Sequence, residues 1–431
     1  MAESVGSTPA ETPQAAPTPA SKNDALVRQA ELIISNVLRG GVLLSAAIIV
    51  IGAVMFYADR GGQTLTFPHT LSAVVQMLAQ GNPLAIIMLG LLVLLATPVV
   101  RVAVSIVAFA LEHDRLYVGI TSLVLAILLV SILVLGAVFG QGQSETAPSP
   151  GLGFSAIVFG GSLIAGLIGS LVGLGGGVFV VPLLTLGLGV PIEVAIGASI
   201  VSVIATSSGA AAAYVRDRVT NLRVGMFLEI ATSLGAVIGG FVAVFIHPGL
   251  LFIIFGVVLL ISAAPLIVKI GEELPQGVRN DRYAERLALA SSYEDARLGR
   301  RVDYQVTRVP AGFGMMYIAG MISGLLGIGS GTFKVLAMDT AMRLPMKVST
   351  TTSNFMIGVT AAASAGIYFN RGAINPLIAA PVALGVLAGA TLGAKTLARL
   401  SNATIRKIFV PILVLISVEM LIRGAANLLG H

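Results

Sequence analysis

Residues 84–110 read "LAIIMLGLLVLLATPVVRVAVSIVAFA", with Arg101 as their one charge, and runs of this kind recur almost to the C-terminus. They are continuous, not alternating. A run of about 20 apolar residues crosses a bilayer as a helix. Lipid offers the backbone no hydrogen bonds, so only helices or closed barrels span it. Barrel strands would alternate in polarity, so continuity selects helices. Hydrophobic residues make up 56% of the chain and charged residues 11%, more apolar surface than a soluble core of 431 residues hides. The expected fold class is therefore an all-α polytopic membrane protein.

The same composition removes several functions. There is no cysteine, hence no disulfide, no Cys-ligated zinc and no iron–sulfur cluster. The histidines are His69, His113, His247 and His431, none of them mid-span and none in an HExxH pattern. No GxxxxGK[ST] loop occurs, so the chain brings no ATPase of its own. No metal and no cofactor is expected. The formal charge of +6 lies mostly in short loops, where it encodes topology and does not mark a nucleic-acid partner.

Residues 1–30 are expected to be a disordered cytoplasmic tail, rich in Ala, Pro, Thr and Ser at its start. Residues 31–140 hold three spans, at about 32–57, 84–110 and 116–139. The polar "QGQSETAPSP" (141–150) is a linker. Two apolar blocks follow, 151–269 and 310–431, separated by a charged loop at 270–309 that reads as solvated, with seven Arg against seven acids between residues 271 and 308.

The two blocks repeat each other. "GLGGGVF" (173–179) matches "GIGSGTF" (327–333) at an offset of 154. The same offset pairs Gly166 with Gly320, Ser199 with Ser353, Tyr214 with Tyr368, Asn221 with Asn375, Gly235 with Gly389 and Gly239 with Gly393. One gapless offset over so long a stretch is the mark of duplication. Each block reads as a long helix, a glycine-rich break, a short apolar segment and three further spans. If the short segment counts as a crossing, each half has five segments and the halves are inverted. That arrangement puts 22 of the 26 Lys and Arg on one side, leaving Arg60, Arg371 and Arg423 on the other and Lys334 within the membrane. By the positive-inside rule the N-terminus is cytoplasmic and the C-terminus external. The sequence thus predicts an inverted repeat of two five-segment helical halves with broken helices, plus an N-terminal three-helix membrane domain.

Inverted repeats with broken helices are a carrier architecture. A helix that starts after glycines presents free N–H groups and a positive dipole end to an anion. Gly175, Gly176 and Gly177 line the first break, and Gly329, Ser330 and Gly331 the second. Lys334 lies just past the second break, and its repeat mate is Val180. A cation there opposes the dipole of its own helix, so a negative ligand or a carboxylate should complete the site. The alternative is that Lys334 snorkels or pairs with Asp339. After the breaks come hydroxyls. Ser199, Ser202 and Thr206 share one helical face, and "STTTSN" (349–354) supplies Ser353 and Asn354. These can replace an anion's water or simply bond their own helix and pack. Glu229 reads as a partner of Arg223, and it or Asp339 can alternatively carry a coupling proton. Glu419 and Arg423 have ion-pair spacing. Arg101 reads as snorkelling, and Tyr214 and Tyr368 as interface markers.

The stretch "GLIGSLVGLGGGVFVVPLLTL" with "GVPIEVAIGASIVSVIATS" and "YVRDRVTN", and its weaker second copy, resembles the TauE/SafE family of sulfite exporters. The resemblance covers about residues 152–424. It implies a multi-pass protein of the prokaryotic cytoplasmic membrane that moves sulfite, sulfoacetate or a related organosulfur anion, some members with protons. The second copy departs from the first at Ser330, Lys334 and Asn354, where the first has glycine, valine and isoleucine. Such departures would give a symmetric scaffold an asymmetric site. The first three spans resemble a small bacterial membrane domain of unknown function. A scaffold or sensor with an inactive core, a channel, and an intramembrane serine hydrolase using Ser199 are the competing readings. The last lacks a histidine base, leaving Lys334 as its one substitute.

Overall fold

A computed structural model describes residues 22–58, 67–135, 151–172, 176–216, 219–267, 275, 277–295, 299–397 and 402–429. Four N-terminal helices come first: α1 (Lys22–Ala58), α2 (Leu71–Ala79), α3 (Pro83–Leu111) and α4 (Arg115–Val130), the last extended by a wider π turn, Ser131–Leu135. The first repeat holds α5 (Leu152–Val172), α6 (Gly177–Pro182) with a π turn (Leu183–Gly187), α7 (Ile192–Arg216), α8 (Leu222–Ala243) and α9 (Pro248–Ile267). A linking module follows, made of α10 (Arg282–Arg286) and the hairpin β1 (Ser291–Asp295) and β2 (Arg300–Tyr304). The second repeat holds α11 (Val309–Leu326), α12 (Gly331–Leu336) with a π turn (Ala337–Ala341), α13 (Met346–Asn370), α14 (Pro376–Leu397) and α15 (Asn402–Leu429). Among the described residues, eight helices are long and apolar enough to cross a membrane.

The repeated glycines explain the packing. Gly320 of α11 lies against the backbone of Thr232 on α8, and its repeat mate Gly166 of α5 lies against the backbone of Val386 on α14. Gly235 meets Tyr317, and its mate Gly389 meets Leu163. A side chain at any of these positions would collide with main chain, so small residues set these close crossings. Each repeat thus lends its first helix to the other. Equivalent helices run antiparallel. Gly249 of α9 packs near Gly424 of α15 and Gly256 packs near Ser417. Gly197 of α7 faces Ala373 beyond the end of α13, while the backbone amide of Asn221, beyond α7, donates to Thr352 Oγ1 near the start of α13 (3.1 Å). A twofold axis that reverses helix direction is an inverted repeat.

The short segments are return strokes. Gly176 sits against Gly166, and Leu183 against Gly161, so α6 runs back along α5. Eleven residues, Gly177–Gly187, cover about 16 Å at 1.5 Å per residue, half the hydrocarbon core of about 30 Å. The short helix therefore reverses direction without crossing alone, and the halves invert as five segments require. Arg423 of α15 donates to the carbonyls of Thr185 (3.1 Å) and Leu186 (3.4 Å), closing the carbonyl end of the first short segment with a cation. Its pairing with Glu419 is loose, at 3.7 Å with both side chains nearly half exposed.

The repeated asparagines are helix caps. Asn221 Oδ1 accepts from the amide of Val224 (2.9 Å) at the start of α8, and Asn375 Oδ1 from that of Leu377 (2.9 Å) at the start of α14.

Four expectations change here. Residues 22–30 belong to α1 and not to a disordered tail; their Lys, Ala, Leu, Arg and Gln favour helix. The charged loop between the blocks is not simply solvated. Its β1–β2 hairpin and α10 dock on the helix ends: Leu287 O accepts from Tyr117 Oη (2.8 Å), Leu289 O from Asn221 Nδ2 (2.9 Å), and Asp295 from Lys347 Nζ (2.7 Å). Tyr368 is no interface marker. It is 1% exposed, and its hydroxyl lies 3.0 Å from the carbonyls of Gly324 and Leu325, tying α13 to the end of α11. Arg101 does not snorkel; it is fully buried between the N-terminal helices and the repeats. The side chain of Tyr214 lies outside the described residues.

Candidate functional site

The two breaks meet. Ser199 Oγ donates to the carbonyl of Gly327 (2.8 Å), in the second break, and lies 3.3 Å from the carbonyl of Gly177, the first residue of α6. Its repeat mate Ser353 donates to the carbonyl of Gly331, the first residue of α12 (3.2 Å). Both serines therefore pin a short helix to the helix behind it. Gly177 is buried against Ser199 and Gly327. Gly176 packs on Val386, and Gly175 lies outside the described residues.

The second break is contorted. Gly327, Gly329 and Ser330 all have positive φ, of 66°, 72° and 50°. Glycine adopts this region freely; serine does so at a cost. Ser330 is 3% exposed, and its hydroxyl has no hydrogen-bond partner among the described residues. No side chain caps α12.

Lys334 is 0% exposed. Its ammonium donates to Thr360 Oγ1 (2.5 Å), near the middle of α13, and Thr360 Oγ1 lies 2.7 Å from Glu229 Oε1 on α8. Ser233 adds a bond to the same carboxylate oxygen (3.1 Å), while Oε2 has no partner among the described residues. Lys334 thus neither snorkels nor leans on Asp339. Asp339 lies on the π turn that continues α12 and is 6% exposed. Glu229 is not a partner of Arg223, which instead approaches Asp114 (3.0 Å) and Glu112 (3.7 Å) at the helix ends. The two intramembrane charges come from different repeats, and their repeat mates are Val180 and Ala383. The asymmetry expected of Lys334 extends to its carboxylate.

Asn354 is buried, and its carbonyl accepts from Ser207 Oγ (2.7 Å). Ser202 and Thr206 bond carbonyls of their own helix, Ser199 O (2.8 Å) and Ser202 O (3.0 Å). Sequence reasoning missed Thr360, the centre of the cluster. The repeat register held the signal, since Thr360 stands at the offset of 154 from Thr206.

Arg101, Glu229 and Lys334 are the charged side chains no more than 1% exposed among the described residues. These three side chains sum to a formal charge of +1, with the Asp339 carboxylate, 6% exposed, less deeply buried. Buried charge is expensive unless compensated, so the core is electrostatically ready for an anion.

An inverted helical repeat, broken at its centre and charged there, defines a multi-pass membrane protein of carrier architecture. Residues 157–420 match the model of the family described as sulfite exporter TauE/SafE. The chain belongs to that family and is a membrane transporter. Residues 34–133 match a second family, described as a protein of unknown function (DUF1634). Two relatives from Bacillus subtilis (strain 168) are similar over the same scale. The probable membrane transporter protein YunE is 28% identical over 269 residues, 61% of this chain and 95% of the relative. The probable membrane transporter protein YdhB is 25% identical over 233 residues, 54% of this chain and 86% of the relative. No solved structure matches.

Proposed function

We propose that this chain is a secondary carrier of a small sulfur-containing oxoanion, such as sulfite or sulfoacetate, working by alternating access across the cytoplasmic membrane. The observation that carries the reading is the buried Lys334–Thr360–Glu229 cluster beside the second break, with a net positive core. The anion sits between the breaks, near Lys334, the Ser330 hydroxyl and the backbone of Gly329 and Gly331, with Gly176 and Gly177 opposite. Asn354 and the pinning serines Ser199 and Ser353 line the helices behind it. Glu229 is the group for a coupling proton, because one of its oxygens has no partner among the described residues and the other shares Thr360 with the lysine; Asp339 is the second choice. The clustering of Arg223, Lys347 and the linking module at one end, with Arg371 beyond the opposite end of α13, supports a cytoplasmic N-terminus and an external C-terminus.

The hydrolase reading has less support, because the Ser199 hydroxyl faces carbonyls and not a base. The test is counterflow of radiolabelled sulfite in proteoliposomes, with sulfoacetate and thiosulfate as competitors. Counterflow that the competitors reduce is expected. Folded protein that gives no counterflow with any of the three anions refutes the substrate assignment and favours an inactive core acting as scaffold or sensor.

A further inference from the structure

Arg101 comes from α3, outside both repeats, yet it enters their core with 0% exposure. Its Nη1 donates to the carbonyl of Phe355 (2.5 Å) and its Nη2 to Ser208 Oγ (3.3 Å), and the guanidinium lies 5.1 Å over the Phe355 ring. The turn of α13 that it grips is bridged by a side chain of α7. Ser207 Oγ donates to the carbonyl of Asn354 (2.7 Å) and accepts from the amide of Gly358 (3.0 Å), which are the acceptor and donor of a single helical turn. A side chain inserted there loosens the backbone ladder. Thr360, which holds Lys334 and Glu229, is two residues further on. The Nε of Arg101 has no hydrogen-bond partner among the described residues.

The charge balance gives this cation a task. Lys334 and Glu229 alone cancel, so the formal positive charge of the core belongs to Arg101. The N-terminal helices therefore supply a charge to the core of the repeats. Lysine would not replace this arginine, since its compact ammonium lacks the planar guanidinium that lies over the Phe355 ring while two of its nitrogens donate.

We propose that Arg101 is a positioning and specificity residue of the transport site. It clamps the Ser207-bridged turn of α13 and supplies the charge that lets the core take a doubly charged sulfonate in preference to a singly charged one. The inference rests on the carrier reading given above. Coulomb energy is proportional to ligand charge, so removing one fixed charge acts twice as strongly, in free energy, on a dianion as on a monoanion.

The experiment measures transport KM for sulfoacetate, a dianion, and isethionate, a monoanion of similar size, in wild type and Arg101→Gln. A rise of about fivefold for isethionate and about 25-fold for sulfoacetate is expected, from the square relation that linear charge dependence imposes. Ser208→Asp provides a second variant that keeps the arginine and cancels its field; it should narrow the same preference. Equal factors for the two anions in folded Arg101→Gln, or an unchanged preference in Ser208→Asp, would overturn the proposal. Wild-type protein that transports neither anion, nor sulfite, would instead sink the carrier reading itself.

Discussion

Glu229→Gln and Lys334→Met each break the same buried pair, but the core should not respond equally. Both side chains are at most 1% exposed, so neither charge left behind can reach water. Breaking a buried ion pair by removing one partner costs about 3–5 kcal/mol. After Glu229→Gln, two cations remain, Lys334 and Arg101, with no carboxylate between them, and the full cost of about 3–5 kcal/mol applies. After Lys334→Met, the formal charges of Glu229 and Arg101 sum to zero, and Glu229 keeps Ser233 and Thr360 as donors. Its cost should fall to about 1–3 kcal/mol, the range for a polar group that loses one partner. The double variant should recover much of the Glu229→Gln loss, since isosteric removal of a whole pair is often neutral. Melting temperatures in detergent, without added anion, rank the three. The order expected is Lys334→Met above Glu229→Gln, with the double variant also above Glu229→Gln. Lys334→Met melting at or below Glu229→Gln would refute the charge balance drawn for this core.

Three further outcomes follow from the packing. Gly320→Val and Gly166→Val should each destabilise by about 1–3 kcal/mol or prevent folding, because the new side chain meets the backbone of Thr232 or Val386; melting temperature and yield of monodisperse protein report it. Ser199→Ala should cost about 1 kcal/mol for its lost hydrogen bonds yet retain counterflow, and abolished counterflow in folded protein would show that the hydroxyl does more than pin the breaks. Tyr304 is partly buried in the linking module, and its desolvation there pushes its phenol up from 10.0 to about 12. The folded module then holds a proton that the unfolded one releases, so its stability is full below pH 10 and falls as pH rises from 10 towards about 12; alkaline titration of tyrosinate absorbance against Tyr304→Phe measures it.

The fold was legible because it is written twice. Gly166 with Gly320 and Gly235 with Gly389 recur because each must lie on bare backbone, and Asn221 with Asn375 recur because each caps a helix. A single copy would have shown only scattered small residues. The centre of the site was legible in part. Lys334 drew notice because it breaks the repeat, but its partners come from α8 and α13, and spacing along the chain does not reveal which helices meet. Arg223 lay close to Glu229 in sequence and was the natural partner; the fold sends it instead to Asp114. Arg101 misled for the same reason. A lone arginine in an apolar run usually reaches for the interface, and only tertiary packing supplies the Phe355 carbonyl and Ser208 that hold it inside. The linking module's balanced charges hid a docked hairpin whose anchors, Tyr117 and Asn221, lie far away in sequence.

The most direct measurement is equilibrium binding of labelled sulfite to the purified protein, wild type beside Lys334→Met. Saturable binding in wild type that is lost, or weakened at least tenfold, in folded Lys334→Met is the result this account predicts. Equal binding by both proteins would contradict it, and would move the anion away from the second break.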